Sequence, residues 1–227
     1  MAEPLDLEEY LRPTWFLDWD TPAVRAYAED VVAGATTDEQ RVVRLYYAVR
    51  DWIRYDPYLI SSEPADYRAS TVLERRRSYC IPKAVLLTAL ARSVGVPARL
   101  GFADVRNHLA SEKLLAWIGS DVFVFHGFSE FWVGDRWVKA TPAFNIELCE
   151  RFGVRPLEFD GRADALFHEY SLDGQRHMEY IAQRGSFGDL PLEEILRTFG
   201  QTYGNGVAAG GPQERDEMFH GAATSGS

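Results

Sequence analysis

The chain has 227 residues and a formal net charge of −10, from 24 basic and 34 acidic side chains. Its length suits a single domain, and 46% apolar residues are enough to build a buried core. The acidity disfavours binding to nucleic acids or anionic membranes, since both carry negative phosphates. The sequence has neither the pattern of a signal peptide nor an apolar run of membrane-spanning length, which predicts a cytoplasmic protein.

Cysteine usage narrows the class of protein further. The chain has two cysteines, Cys80 and Cys149. Two cysteines do not form a disulfide framework, and a reducing compartment keeps them as thiols. The cysteines and histidines lack the spacing of a structural zinc site, so no metal is expected.

The first part of the chain shows helical patterns. A helix is predicted from Pro22 to the stop at Gly34. A second helix begins at Thr37, where Gln40 completes a capping box, and ends before Pro57. A short basic helix follows, with Thr71 and Glu74 as its capping pair.

A third long helix is predicted over residues 81–94, directly after Cys80. Apolar residues lie on most of its sides, so we expect it to be buried at the centre of the domain. The pattern then changes to Val-rich and Phe-rich strands over residues 99–105, 121–133 and 136–140. Gly134-Asp135 fits a type II′ turn between the last two strands, which places His126 and Trp137 on adjacent antiparallel strands. Helices followed by an antiparallel sheet predict an α+β fold.

The last part of the chain is less regular. Residues 145–190 give no clear pattern, and a late helix is predicted over residues 191–199 with Asp189 as its cap. Residues 201–227 are mostly Gly, Ala, Ser and polar side chains without an apolar period, which predicts a flexible tail. The expected organisation is therefore one domain over residues 1–200 and a tail over residues 201–227.

Cys80 is the first candidate catalytic residue. At a helix start, unpaired backbone N–H groups and the helix dipole favour a thiolate, so we expect a lowered thiol pKa. The same N–H groups could stabilise an oxyanion. From position alone, a small buried apolar side chain is an equally good interpretation.

His126 lies in the apolar run DVFVFHGF, residues 121–128. A lone histidine in such a run is more often a core residue bonded to backbone than a catalyst. With Cys80 present, it becomes the natural general base and acid for the thiol.

The residues around Cys80 resemble the nucleophile helix of transglutaminase-like proteins. Residues 79–102 read YCIPKAVLLTALARSVGVPARLGF. The family pattern is a cysteine, a helix of Ala and Leu, a late Arg, and Gly-(Ile/Val)-Pro-Ala-Arg before a strand. It matches Cys80, Ala84, Leu86, Leu90, Arg92, Gly95, Val96, Pro97, Ala98 and Arg99. A second family block matches His126, Phe128, Glu130 and Trp137. The resemblance covers roughly residues 40–145.

This resemblance implies a papain-like α+β fold and a Cys-His-Asp set for acyl transfer, with no cofactor. The sequence departs from the family at the third residue, because Thr141 occupies the place where the family usually has Asp. A threonine hydroxyl can accept a hydrogen bond from an imidazole but brings no charge. Asp160 and Asn145 are the alternatives for orienting His126.

The leading hypothesis is acyl transfer through a Cys80 thioester. A peptide, protein or small amide would be the substrate, with hydrolysis preferred over transfer to an amine. The absent aspartate motivates an alternative from another class, a non-catalytic binding module that keeps the fold. The family resemblance does not choose among these activities, because the family includes proteases, amidases and cross-linking enzymes.

Overall fold

The computed structural model describes residues 6–167 and 170–204, together with Val207, Asp216 and Phe219. The described part contains a four-stranded antiparallel sheet, a two-stranded parallel sheet and seven α-helices. The helices are α1 (Pro22–Val31), α2 (Asp38–Trp52), α3 (Ala69–Arg75), α4 (Cys80–Ser93), α5 (Glu112–Ile118), α6 (Ile146–Phe152) and α7 (Leu192–Tyr203). The strands are β1 (Arg54–Tyr55), β2 (Arg77–Ser78), β3 (Ala98–Asn107), β4 (Val122–Val133), β5 (Arg136–Ala140) and β6 (Met178–Phe187). The α+β fold class is confirmed.

Helix α4 is the centre of the domain, as predicted. Every residue from Ile81 to Arg92 is buried. The helix packs on α1, α2 and α3 on one side and on β3 and β4 on the other. Even Lys83 is fully buried; its Nζ donates to the backbone oxygens of Arg50, at 3.0 Å, and Ile53. These bonds satisfy carbonyls at the end of α2 and fix that end against the nucleophile helix.

The large sheet has the strand order β5-β4-β3-β6, with all neighbours antiparallel. Its first three strands follow the predicted ones. Strand β6 was missed because it lies at the sheet edge, where many of its side chains are exposed and give no apolar alternation.

The predicted hairpin between β4 and β5 is present, but the turn type was wrong. Trp132 pairs with Trp137, so Gly134-Asp135 forms a two-residue loop. Both loop residues have a φ of 58°. Two positive φ values define a type I′ turn, which matches the twist of the flanking strands.

The predicted cap of α3 was also wrong. The helix begins at Ala69, before the expected cap Thr71. The distant carboxylate of Asp18 accepts the N–H of Ser70 at 3.0 Å. A tertiary contact therefore satisfies this helix start, and a local capping box is not needed.

The C-terminal prediction needs a correction where the structure describes the chain. Residues 201–203 belong to α7, and Val207, Asp216 and Phe219 are buried. The Asp216 carboxylate accepts from the Tyr58 hydroxyl at 2.6 Å and from the Ser111 hydroxyl at 2.5 Å. The described residues of the predicted tail are therefore helical or buried, apart from Gly204, which ends α7. The remaining residues of the predicted tail lie outside the described part.

No helix among the described residues is both long and apolar enough to cross a membrane. They also contain no cluster of three His, Cys, Asp or Glu side chains arranged to hold a metal ion.

Candidate active site

Cys80 is the first residue of α4, and its side chain is half-buried. The backbone N–H groups of Gly127, Ile81 and Cys80 itself lie against its sulfur. Such donors stabilise negative charge, first on a thiolate and equally on an oxygen placed nearby.

The expected lowering of the Cys80 pKa is not what the structure produces. Burial raises the pKa of this thiol to about 11, and the three backbone N–H groups and Lys83 offset burial only in part. The helix start does favour the anion, but the surrounding apolar side chains disfavour it more. In this conformation Cys80 is therefore a neutral thiol at neutral pH.

Gly127 brings strand β4 against the start of α4. A Cβ at this position would lie 3.0 Å from Ile81 Cα and 3.4 Å from the Cys80 carbonyl oxygen. Only a residue without a side chain allows this approach. Because His126 precedes Gly127, the same contact fixes the histidine beside the nucleophile helix.

His126 is buried on β4, with 4% of its surface exposed. Burial lowers the pKa of its imidazole to about 4, so the ring is neutral at neutral pH. Its ring lies edge-on to Phe167, with 6.1 Å between ring centroids. Its Nδ1 has no hydrogen-bond partner among the described residues.

Cys80 and His126 line one pocket, which brings the two predicted residues together. The other residues lining it are largely apolar or aromatic, among them Tyr55, Tyr79, Ile118, Phe123, Phe199 and Tyr203. The pocket has a volume of about 30 Å³, which is enough to hold a water molecule. Helix α7 supplies Phe199 and Tyr203, so the C-terminal part of the domain forms one wall.

The three candidates for orienting His126 have different surroundings, and none bonds to its Nδ1. Thr141 directly follows β5 and is 5% exposed; its hydroxyl has no partner among the described residues. Asn145 is buried, and its Oδ1 accepts the N–H of Tyr55 at 3.2 Å. Asp160 is exposed, and its Oδ1 accepts the N–H groups of Arg162 and Ala163, each at 2.8 Å. The Asp160 carboxylate caps its own loop at the surface beside α2.

Two residues of the second motif block hold the hairpin. The Arg99 Nε contacts a Glu130 carboxylate oxygen at 2.5 Å, and the Arg99 guanidinium lies 4.0 Å from the Trp137 ring centroid. Glu130 is 1% exposed, so this pair fixes β4 between its neighbouring strands. Their role is to support the scaffold around His126.

Comparison with known families identifies the family of this chain. The model of the transglutaminase-like superfamily matches residues 25–142, just over half of the chain. The chain belongs to the transglutaminase-like superfamily. The matched range contains both residues of the candidate pair and ends directly after Thr141. The match confirms the transglutaminase-like family that the two motif blocks around Cys80 and His126 indicated.

A solved structure supports the fold independently. This transglutaminase-like domain is similar to a candidate cysteine protease from Cytophaga hutchinsonii, with a TM-score of 0.52 and 16% sequence identity. The match covers 82% of this chain and 48% of the other, so the chain spans about half the length of that protein. At this identity the likeness shows the fold alone. A search of the curated proteins finds no match.

Sequence reasoning missed three residues of this transglutaminase-like site. Gly127 had a signal, because a glycine inside a strand indicates a close approach of backbone. Asp104, whose carboxylate accepts the N–H of Phe125 directly before His126, had a weaker one, as an acidic residue within the strand predicted over residues 99–105. Tyr203 had none, because it lies in a segment that was predicted to be a flexible tail.

Proposed function

We propose that this protein is a cysteine-dependent acyl-transfer enzyme that acts on an amide or peptide bond through a Cys80 thioester. The observation that supports the proposal is the shared pocket, which is lined by a cysteine at a helix start and by a buried histidine on strand β4. Neutral thiol and neutral imidazole are the starting states that a general-base mechanism requires.

In the first half of the reaction, Cys80 Sγ attacks the substrate carbonyl while His126 takes the thiol proton. The new S–C bond gives a tetrahedral oxyanion, which the N–H groups around the sulfur would stabilise. Collapse of this intermediate breaks the C–N bond, and the proton on His126 passes to the leaving amine. In the second half, His126 activates water, which attacks the thioester, releases the acid and restores the thiol.

We prefer hydrolysis over transamidation because hydrolysis needs only water as the acceptor, and the pocket of about 30 Å³ has room for water. The described residues that line the pocket include no Asp, Glu, Lys or Arg, which favours an uncharged acyl group.

Thr141 is the proposed partner of His126. Ser129 pairs with Ala140, so continuing the register places Thr141 opposite Phe128 and on the same strand face as His126. Its hydroxyl and His126 Nδ1 are both buried without a hydrogen-bond partner in the described part of the chain. Because these two groups do not bond to each other directly, we expect one water molecule to join them.

The absent acid also favours a second candidate, a non-catalytic binding module. Without a carboxylate at position 141, an imidazolium at His126 lacks the charge that usually stabilises it. Burial already lowers the pKa of His126 to about 4, which disfavours that cation further.

A small acyl donor separates these two functions. We would mix the protein with p-nitrophenyl acetate and follow both nitrophenol release and the intact mass of the protein. If the protein is an enzyme, we expect an acetyl group to form on Cys80 and then to be hydrolysed. C80A should lack this acetyl group, and acylation of Cys80 should be about 100-fold or more slower in H126N. Equal nitrophenol release by the wild type and C80A would contradict the enzyme proposal and favour the binding module. A peptide p-nitroanilide, with and without an added primary amine, then compares hydrolysis with transamidation.

A further inference from the structure

Strand β4 is irregular immediately before His126. Ala103 pairs with His126 and Val105 pairs with Phe123, so Val124 and Phe125 together face the single residue Asp104. This is a β-bulge, and the φ of Phe125 is 56°. A left-handed conformation is unfavourable for an aromatic residue, so the surrounding structure must hold it.

Two side chains satisfy the backbone of this bulge. The N–H of Phe125 donates to Asp104 Oδ1 at 3.1 Å, and the N–H of Val124 donates to the Tyr203 hydroxyl oxygen at 2.6 Å. Both bonds replace ladder bonds that the bulge interrupts. The bulge that carries His126 therefore depends on β3 and α7.

Asp104 is itself fixed from the edge of the sheet. Arg184 on β6 donates through Nε to Oδ1 at 2.9 Å and through Nη2 to Oδ2 at 2.7 Å. The Arg184 guanidinium carbon also lies 5.1 Å from the centroid of the Phe125 ring. A two-pronged arginine–carboxylate contact fixes orientation as well as position. Asp104 is 6% exposed and is not among the residues lining the pocket, so it would act on the site through the bulge.

We propose that Asp104 and Arg184 are positioning residues for His126: together they hold the bulge that directs the imidazole toward Cys80. This inference rests on the proposed function, because it requires that His126 activates the Cys80 thiol. A misplacement of about 1 Å in a catalytic group can cost about 100-fold in rate, so a small relaxation of the bulge would be measurable.

The test is the rate at which iodoacetamide modifies Cys80 between pH 5 and pH 9, followed by peptide mass spectrometry. The variants are H126N, D104A, R184M, D104N and the double variant D104A/H126N. The matched control is D18A. Asp18 is equally buried, accepts the Ser70 N–H at 3.0 Å and pairs with Arg68 at 2.8 Å, in another part of the fold. Circular dichroism and thermal unfolding show which variants fold.

We expect H126N to slow modification at pH 7 about 100-fold, as removal of a general base does. D104A and R184M should slow it about 10-fold to 100-fold, and D18A should leave it unchanged. D104N should retain part of the rate, because its amide oxygen can still accept the Phe125 N–H. The double variant should be no slower than H126N, since Asp104 acts through the histidine.

The outcomes separate the two proposals. If iodoacetamide modifies Cys80 in H126N as fast as in the wild type, the proposed function fails, and this inference fails with it. If H126N is slow while D104A and D104N behave like D18A, the inference alone is overturned. The inference is also overturned if D104A slows modification of Cys80 by the same factor in the wild type and in H126N. If D104A does not fold, D104N and R184M decide by the same criteria.

Discussion

Gly127 and Ile81 meet backbone to backbone, so that a Cβ on Gly127 would lie 3.0 Å from Ile81 Cα. This contact joins strand β4 to the first turn of α4. It places the residue before Gly127, the candidate base His126, next to the residue before Ile81, the candidate nucleophile Cys80. The geometry of the pair therefore depends on the absence of one side chain.

The first prediction is that G127A damages the site. The new methyl group would push β4 away from α4, because its neighbours are backbone atoms that cannot turn aside. Overpacking of this kind costs about 1–3 kcal/mol of unfolding free energy, and Cys80 acylation should slow as well. Urea unfolding and p-nitrophenyl acetate kinetics measure the two effects. G188A is the control, because its added Cβ would meet only the flexible end of Glu9 at 3.0 Å. Equal behaviour of the two variants would contradict the importance of the contact.

The second prediction compares the two thiols. Cys80 is half-buried in the pocket, whereas Cys149 is fully buried. Burial raises the pKa of the Cys149 thiol to about 12. We expect iodoacetamide at pH 7 to modify Cys80 well before Cys149 in the folded protein. Mass spectrometry of timed samples measures this, with the protein in urea as the control in which both thiols react alike. Equally slow modification of both thiols without urea would count against an activated Cys80.

The third prediction concerns stability below neutral pH. Burial lowers the pKa of His126 from 6.5 to about 4. Between these two pH values the histidine is therefore protonated in the unfolded chain and neutral in the folded chain. The contribution of neutral His126 to the unfolding free energy is complete above pH 6.5 and is lost as the pH falls toward 4. Since one pH unit corresponds to about 1.4 kcal/mol, the loss is on the order of 3 kcal/mol.

Urea unfolding of the wild type and of H126N between pH 4 and pH 7 checks this. The unfolding free energy of the wild type should fall relative to that of H126N as the pH falls through that window. A constant difference between the wild type and H126N would mean that His126 titrates alike in the folded and unfolded chain.

The fourth prediction separates catalysis from stability at Thr141. Its hydroxyl is buried without a partner in the described residues, so T141V should leave the unfolding free energy unchanged or slightly higher. If the hydroxyl orients His126 during the reaction, T141V should still lower acylation of Cys80 about 10-fold. T141S keeps the hydroxyl and is the rescue variant, and T141D restores the charge that the family usually has. Unchanged acylation in T141V would remove Thr141 from the proposed mechanism.

Local signals account for most of what the sequence predicted correctly. The apolar residues around α4 indicated a buried helix, and the alternation and turn residues near Gly134 indicated the β4–β5 hairpin. Residues that contact close neighbours in the chain leave such patterns. The same reasoning failed for α3 and β6. The start of α3 is satisfied by Asp18 from far along the chain, and β6 is an exposed edge strand whose residues carry little apolar pattern.

The sequence by itself determined the family, the α+β class and the candidate pair, because the motifs around Cys80 and His126 are local in the chain. Tertiary structure decided the electrostatics and the exact placement of that pair. The helix start alone predicts a lowered pKa for Cys80, but burial by residues from several elements raises it to about 11. Likewise the bulge before His126 is held by Asp104 and by Arg184, 80 residues further along the chain. Burial and long-range contacts are properties of the assembled fold, and no local pattern encodes them.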